Sequence, residues 1–251
     1  MQIGANFAND YYDYCKGADG PDRMGPARAV ATGAISPAWM RMAAFCSLGL
    51  GFVLGLVLFQ VSGGGWLLLV VGVASVACAL AYTSGPWPLA YLGLGDVFVI
   101  LFFGFIAVSV THFVQLSVAE VMWKQDTAPW IPALAVGLVI NNLLVVNNHR
   151  DADTDRRVGK LTIVARFGRS FGSAIYFLSI ALATLLLPLL EVGLRGTLVL
   201  FPLGYFLWRR LMQAKDSSAY SFVFAGTATM VVLYGALSVL SLAEALPKAL
   251  Y

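Results

Sequence analysis

The sequence predicts an all-α protein, a polytopic bundle of transmembrane helices forming a single domain over residues 1–251. Three observations lead there. The chain is 59% hydrophobic and only 12% charged, about half the charge of an ordinary soluble domain. Apolar stretches close to the ~20 residues that a helix needs to cross hydrocarbon recur along it. Its cations gather on one side of those stretches. The formal charge of +3 is too small to suggest nucleic acid, so the partner that composition implies is the lipid bilayer.

Seven full spans are expected, at about 38–61, 64–83, 96–116, 129–148, 171–190, 194–213 and 219–243. The linkers carry breakers where helices should stop: Gly63-Gly64-Gly65, Ser84-Gly85-Pro86-Trp87-Pro88 and Ala128-Pro129. Threading the spans in alternation puts Lys16, Arg23, Arg28, Arg41, Arg150, Arg156, Arg157, Lys160, Arg166, Arg169, Arg209, Arg210 and Lys215 on one face. Only Lys124, Arg195 and Lys248 fall on the other. That imbalance makes the first face cytoplasmic. Cys15, Cys46 and Cys78 have no metal-like spacing. Cys46 and Cys78 lie in apolar runs and are expected to be small buried hydrophobes.

Ahead of the first span stands Asn6-x-x-Asn9-Asp10-x-x-Asp13, continued by Gly17-x-Asp19. Asn6, Asp10 and Asp13 follow i, i+4, i+7 spacing and share one side of a helix. Few residues precede them, so the chain is expected to lack most of one helix and a whole helix before it. The second cluster follows the fourth span: Asn147-x-x-Arg150-Asp151-x-x-x-Asp155, with Lys160 close behind. Asn147, Asp151 and Asp155 recur every four residues, forming one stripe on a helix that leaves the membrane.

Carboxylates at a membrane face are costly unless compensated, and a divalent cation bound to phosphate compensates them. Hard oxygen ligands suit Mg2+, which keeps waters and binds through a few carboxylates plus substrate phosphate. Arg150, Arg156, Arg157 and Lys160 supply cations for diphosphate oxygens. One such loop alone reads equally well as the solvated end of a helix. Two on one face point to an enzyme that holds a diphosphate through magnesium. The alternative outside enzymes is an ion transporter, but the acids sit at one interface and no internal repeat is visible. A calcium loop at Asp151-x-Asp153-x-Asp155 fails, because Arg156 and Thr162 replace the required Gly and Glu.

Three stretches carry a resemblance. The first is Asn9-Asp-Tyr-Tyr-Asp13-Tyr-Cys-Lys-Gly17-Ala-Asp19, running into Arg23-Met-Gly25-Pro26-Ala-Arg28 and Thr32-Gly33. The second is Tyr82-Thr-Ser-Gly85-Pro86-Trp-Pro88-Leu, then Tyr91-Leu-Gly93-Leu-Gly95-Asp96 and Phe102-Phe103-Gly104. The third is Asn147-Asn148-His-Arg150-Asp151 through Gly159-Lys160-Leu-Thr162. Together they resemble the UbiA superfamily of intramembrane aromatic prenyltransferases, and within it the branch that prenylates 1,4-dihydroxy-2-naphthoate in menaquinone synthesis. The 4-hydroxybenzoate branch differs in the spacing of its third aspartate and carries an Arg-Pro-Leu-Pro-Ser-Gly run that is missing here.

The resemblance implies a UbiA-like nine-helix bundle whose last seven helices are the seven spans above. It also implies that Asn9, Asp10, Asp13, Asp151 and Asp155 hold Mg2+ bridging a polyprenyl diphosphate, while Arg28, Arg150 and Lys160 clamp its outer oxygens. Asn6, Asp19 and Asn147 complete the substrate-binding set. Ionisation of the allylic C–O bond would give a prenyl cation, attacked by the aromatic acceptor with loss of CO2, in a bacterial plasma membrane. Other acceptors in the same family are 4-hydroxybenzoate, homogentisate and a phytyl-accepting naphthoate.

Tyr82 and Asp96 have two readings: they position the acceptor or take its proton, or they are an interfacial anchor and a helix N-cap. Phe98, Phe102, Phe103 and Phe105 read first as packing or lipid contacts, second as the wall of a prenyl tunnel. His149 reads as a polar helix end, and His112 as one partner of an interhelical hydrogen bond.

Overall fold

The computed structural model describes residues 1–20, 24–63, 65–118 and 129–249, of which 244–249 by backbone alone. Arg23, Gly64, Lys124, Ala128 and the side chain of Lys248 lie outside the described residues. Among the described residues every regular element is helical.

Helix α1 (Gln2–Cys15) carries the first acidic stripe. A loop leads to α2 (Pro37–Val61), started by the Ser36 side chain, which accepts from the Trp39 N–H, and by Pro37 at the first helical position. Helix α3 (Trp66–Ala81) follows. The next span, Gly95–Leu116, is built from α4 (Gly95–Val99), a π-helical segment (Ile100–Ile106) and α5 (Ala107–Val118). Helix α6 (Trp130–Arg157) is the axis of the molecule. After it come α7 (Ile163–Phe167), then α8 (Arg169–Ala181), a second π segment (Leu182–Leu186) and α9 (Leu187–Leu190). A 3-10 helix (Val192–Leu200), α10 (Phe201–Gln213) and α11 (Ser217–Ala249) complete the chain.

Among the described residues five helices are long and apolar enough to cross a membrane: Pro37–Val61, Gly95–Leu116, Trp130–Arg157, Arg169–Leu190 and Ser217–Ala243. The protein is an integral membrane protein. Two of the seven expected spans take other forms. That at 64–83 is the shorter Trp66–Ala81, and that at 194–213 is the 3-10 helix running into α10. The tight winding has a packing cause. Gly193 and Gly196, three apart, share a face of a 3-10 helix, and a Cβ on either would collide with Leu242 or Ser241 of α11. The Gly196 N–H also donates to Ser241 Oγ at 2.8 Å.

The core lies around α6, whose Val139, Val145 and Val146 pack against Tyr176 and Ile180 of α8, Leu207 and Leu211 of α10, and Met230 and Tyr234 of α11. Apolar packing gives no net drive between helices in lipid, so close backbone approach and satisfied polar groups hold the bundle. Tyr176 and Thr227 hydroxyls lie 2.8 Å apart, and Tyr234 donates to the Ala183 carbonyl at 3.0 Å. His149 is buried between the Tyr220 hydroxyl (2.9 Å from Nδ1) and Ser173 Oγ (3.2 Å from Nε2). It is therefore a core tie between α6, α8 and α11. His112 does not make the expected interhelical bond, since its buried Nε2 has no partner among the described residues. Cys46 and Cys78 also depart from expectation. Cys46 is exposed on α2 and Cys78 is half-buried, because these helices turn apolar side chains outward as well as inward.

Candidate active site

The two acidic stripes meet. The 28-residue α6 does not stop at the membrane edge expected near 148 but continues through the second cluster, so Asn147, Asp151 and Asp155 stay on one helical face. That face looks across at α1. Between them lies a cavity of about 1030 Å3 lined by Asn6, Asn9, Asp10, Asp13, Arg28, Tyr82, Asp96, Asn147, Arg150, Asp151, Asp155 and Lys160, but not by Asp19, Arg156 or Arg157; the Arg156 guanidinium instead donates to the Ala165 carbonyl. Asp19 sits behind Arg28, its Oδ1 3.9 Å from the guanidinium Nε.

Lys160 joins the clusters. Its ammonium lies 3.3 Å from Asp13 Oδ2, 147 residues away in sequence, and 3.8 Å from Asp155 Oδ1. Burial opposes its charge, but the carboxylates of Asp13 and Asp155 outweigh that and hold its pKa above the ordinary lysine value. The other oxygen of Asp13 accepts from the Tyr91 hydroxyl at 3.0 Å. Burial and the Asp13 charge push the Tyr91 phenol well above the usual range, so it stays a donor. Asn9 Oδ1 accepts from the Thr83 hydroxyl at 2.9 Å. The Asn6 side chain, more exposed, accepts from Gln2 at 3.2 Å.

Asp10 has partners of another kind. Its two oxygens accept from the backbone N–H groups of Ala29 (3.2 Å) and Val30 (3.3 Å), pinning the loop that carries Arg28 over the cavity. Arg28 itself lines the cavity, with its buried Nε turned toward Asp19. Arg150 and Asp151 form a two-pronged pair, Nε and Nη2 each 2.8 Å from a carboxylate oxygen. Gly25 packs on that guanidinium so closely that a Cβ would sit 2.7 Å from Nη2.

Deeper in, the cavity turns apolar. Phe98, Phe102, Phe103 and Ile106 line it from one side and Ile140, Leu143 and Leu144 of α6 from the other. Three of the four phenylalanines are thus cavity wall. Phe105 instead packs against Trp130, with ring centroids 6.3 Å apart. The π segment makes this wall, because an extra residue in the turn re-aims side chains. Gly104 seats it against α6, where a Cβ would collide with the Ala133 carbonyl.

Asp96 lies at the junction of polar and apolar zones. It is not an N-cap: α4 begins at Gly95 with Leu94 before it and no side-chain cap. Its buried carboxylate accepts from Asn141 Nδ2 at 3.0 Å, and the Tyr82 hydroxyl lies against Gly95. Asn141, Thr83 and the roles of Lys16 and Tyr91 are invisible to sequence spacing, because their partners lie 45 to 78 residues away.

The donor set fits magnesium by its chemistry: hard oxygens from two helices converge on one ammonium, the position a divalent cation would share. Among the described residues no three His, Cys, Asp or Glu side chains gather into a ready metal cage. A Mg2+ bound mainly by phosphate and water asks for only one or two carboxylates.

Comparison with known proteins agrees with this geometry. The UbiA prenyltransferase family pattern matches residues 1–233. A 1,4-dihydroxy-2-naphthoate octaprenyltransferase of Haemophilus influenzae is 34% identical over 198 residues, 74% of this chain and 59% of that protein. Proteins of the same name from Mycobacterium tuberculosis and Escherichia coli are each 38% identical, over 70% and 67% of this chain and 57% and 54% of theirs. The chain therefore spans a little over half the length of these relatives. No solved structure matches it. With the family pattern covering nearly its whole length, the chain belongs to the UbiA prenyltransferase family.

Proposed function

We propose that the chain acts in Mg2+-dependent transfer of a polyprenyl group from polyprenyl diphosphate to 1,4-dihydroxy-2-naphthoate, releasing CO2 and diphosphate and giving the prenylated naphthoquinol, the reduced form of demethylmenaquinone. The observation that carries this reading is one cavity with two acidic clusters and cations at one end and an aromatic, aliphatic wall at the other. Such a cavity suits a ligand with a charged head and a long apolar tail. The names of the relatives support the naphthoate as acceptor.

Asn9, Asp13, Asp151 and Asp155 would hold magnesium, which neutralises diphosphate charge when bound. Arg28 and Lys160 donate to the outer phosphate oxygens, while Asp10 keeps the Arg28 loop over the site. Arg150 fixes the Asp151 carboxylate. As the allylic C–O bond breaks, its electron pair passes to the diphosphate, where these cations stabilise it. Phe98 and Phe102, whose rings stack at 6.0 Å, offer π-faces to the carbocation, and the apolar wall excludes water. Asp96, steadied by Asn141, accepts the acceptor's hydroxyl proton as the ring carbon forms its bond to the prenyl group. The carboxyl then leaves as CO2, returning its electron pair to the ring, and Asp96 hands the proton back to the ring oxygen, leaving the naphthoquinol. The excess of cations at the cavity end makes that end cytoplasmic, in a bacterial plasma membrane; the named relatives come from bacteria.

The test supplies membranes containing the chain with radiolabelled polyprenyl diphosphate, 1,4-dihydroxy-2-naphthoate and magnesium. Labelled prenylated naphthoquinol, recovered as the quinone after oxidation in air, is expected, lost on chelation and in Asp151→Asn. Preferential transfer to 4-hydroxybenzoate would overturn the acceptor, and full activity of Asp151→Asn would overturn the mechanism.

A further inference from the structure

We propose that Tyr91 is a positioning residue for the diphosphate end of the cavity: its hydroxyl orients Asp13, and its ring holds the ammonium groups of Lys16 and Lys160 beside the acidic clusters. This rests on the diphosphate reading above. Tyr91 does not line the cavity and acts through its neighbours. The hydroxyl reaches Asp13 Oδ1 at 3.0 Å while Lys160 reaches Oδ2 at 3.3 Å, so both oxygens of the carboxylate are directed. The same ring lies under two cations, with Lys16 Nζ 4.2 Å and Lys160 Nζ 5.7 Å from its centroid. Both distances fall within the range at which a ring quadrupole attracts a cation. Two ammonium groups on one ring repel each other, and the ring together with the carboxylates offsets that repulsion.

The neighbours of Tyr91 extend the arrangement. Lys16 donates to the Thr83 carbonyl at 2.6 Å, and the Thr83 hydroxyl donates to Asn9. The Leu161 N–H donates to the Tyr91 carbonyl at 3.1 Å, tying the Lys160 loop to the same residue. Gly93 closes the contact from below: its φ is +78°, and a Cβ there would sit 2.9 Å from the Leu161 carbonyl oxygen. Two segments remote in sequence, one carrying Asp13 and Lys16 and the other Lys160, thus converge on one side chain, and the cations stand in place before a ligand arrives. An anion entering such a site finds its donors already oriented, which lowers the cost of binding.

The test measures binding of inorganic pyrophosphate with magnesium to the detergent-purified chain by titration calorimetry. Tyr91→Phe keeps the ring and removes the hydroxyl, and it is expected to bind roughly tenfold more weakly, the worth of one hydrogen bond to a charged group. Tyr91→Leu removes the ring as well and is expected to bind more weakly still. Lys16→Gln should weaken binding in the parent and have no further effect in Tyr91→Leu, a coupling that simple loss of stability would not produce. No pyrophosphate binding by the parent would overturn the diphosphate reading itself. Binding by the parent that Tyr91→Phe leaves unchanged would overturn the inference and leave that reading standing.

Discussion

Asp10 and Asp13, neighbours on one face of α1, have different partners. Asp13 meets side chains across the cavity, while Asp10 holds two backbone N–H groups of the following loop. Asp10→Asn replaces one acceptor oxygen by a donor and leaves a buried amide unpaired. It should cost about 1–3 kcal/mol of stability, read as a lowered heat-denaturation midpoint in detergent, and should weaken pyrophosphate binding by freeing the Arg28 loop. Arg28→Gln should weaken binding without the stability loss. Equal midpoints for parent and Asp10→Asn would show that the carboxylate does not hold the loop. Lys160 allows a test in pH. Its raised pKa means that its contribution is complete below the unfolded lysine value of roughly 10.4 and fades only as pH climbs through the higher folded value. Lys160→Met, which removes the cation shared by two buried carboxylates, should be less stable by about 3 kcal/mol, with a gap that stays flat from about pH 7 to about pH 9. A gap that closed within that interval would contradict the pairing with Asp13 and Asp155. The acidic residues themselves were legible in sequence, because helical spacing decides which side chains share a face. The partners of Asp10 and Tyr91 were not, because long-range packing chooses them.

At the scale of elements, hydropathy located the long spans because burial in lipid demands runs of apolar side chains. It missed how the backbone winds inside them. The Ile100–Ile106 π segment and the Val192–Leu200 3-10 helix answer to glycines meeting another helix, and apolar content carries no record of such a meeting. The crossing of Gly104 with Ala133 and Gly137 is the sharpest case. A Cβ at Gly137 would lie 3.0 Å from the Ile100 carbonyl and 3.2 Å from Gly104 Cα. Backbone cannot yield as a side-chain tip can, so Gly104→Val must push α6 away from the wall carrying Phe102 and Phe103. Overpacking of this kind costs about 1–3 kcal/mol. The expected result is a lowered heat-denaturation midpoint together with loss of prenyl transfer, whereas pyrophosphate binding at the polar end is largely retained. A variant as stable and active as the parent would mean that the crossing is looser than its geometry implies.

For the whole molecule, what matters is where charge ends and hydrocarbon begins. The carboxylates and cations crowd one end of the cavity, and the chain from Gly95 to Ala107 runs along its wall away from them. Twelve residues at helical rise cover about 18 Å. Ala107 therefore marks the far part of the cavity, where a prenyl tail and not a diphosphate would lie. Replacing it with a large ring leaves every polar contact at the head in place and shortens the room for the tail. Ala107→Trp should accordingly keep magnesium pyrophosphate binding unchanged, keep transfer from short prenyl diphosphates, and lower kcat/KM for long ones by tenfold or more, about 1.4 kcal/mol of lost transition-state binding. The comparison is a competition between a short and a long labelled donor in one reaction, which cancels differences in enzyme amount. An equal fall for both donors would place the tail elsewhere. A fall in pyrophosphate binding would mean that the two ends are not independent. A shift in preference toward the short donor alone would tie the apolar wall, and the π segment that aims it, to the selection of substrate length.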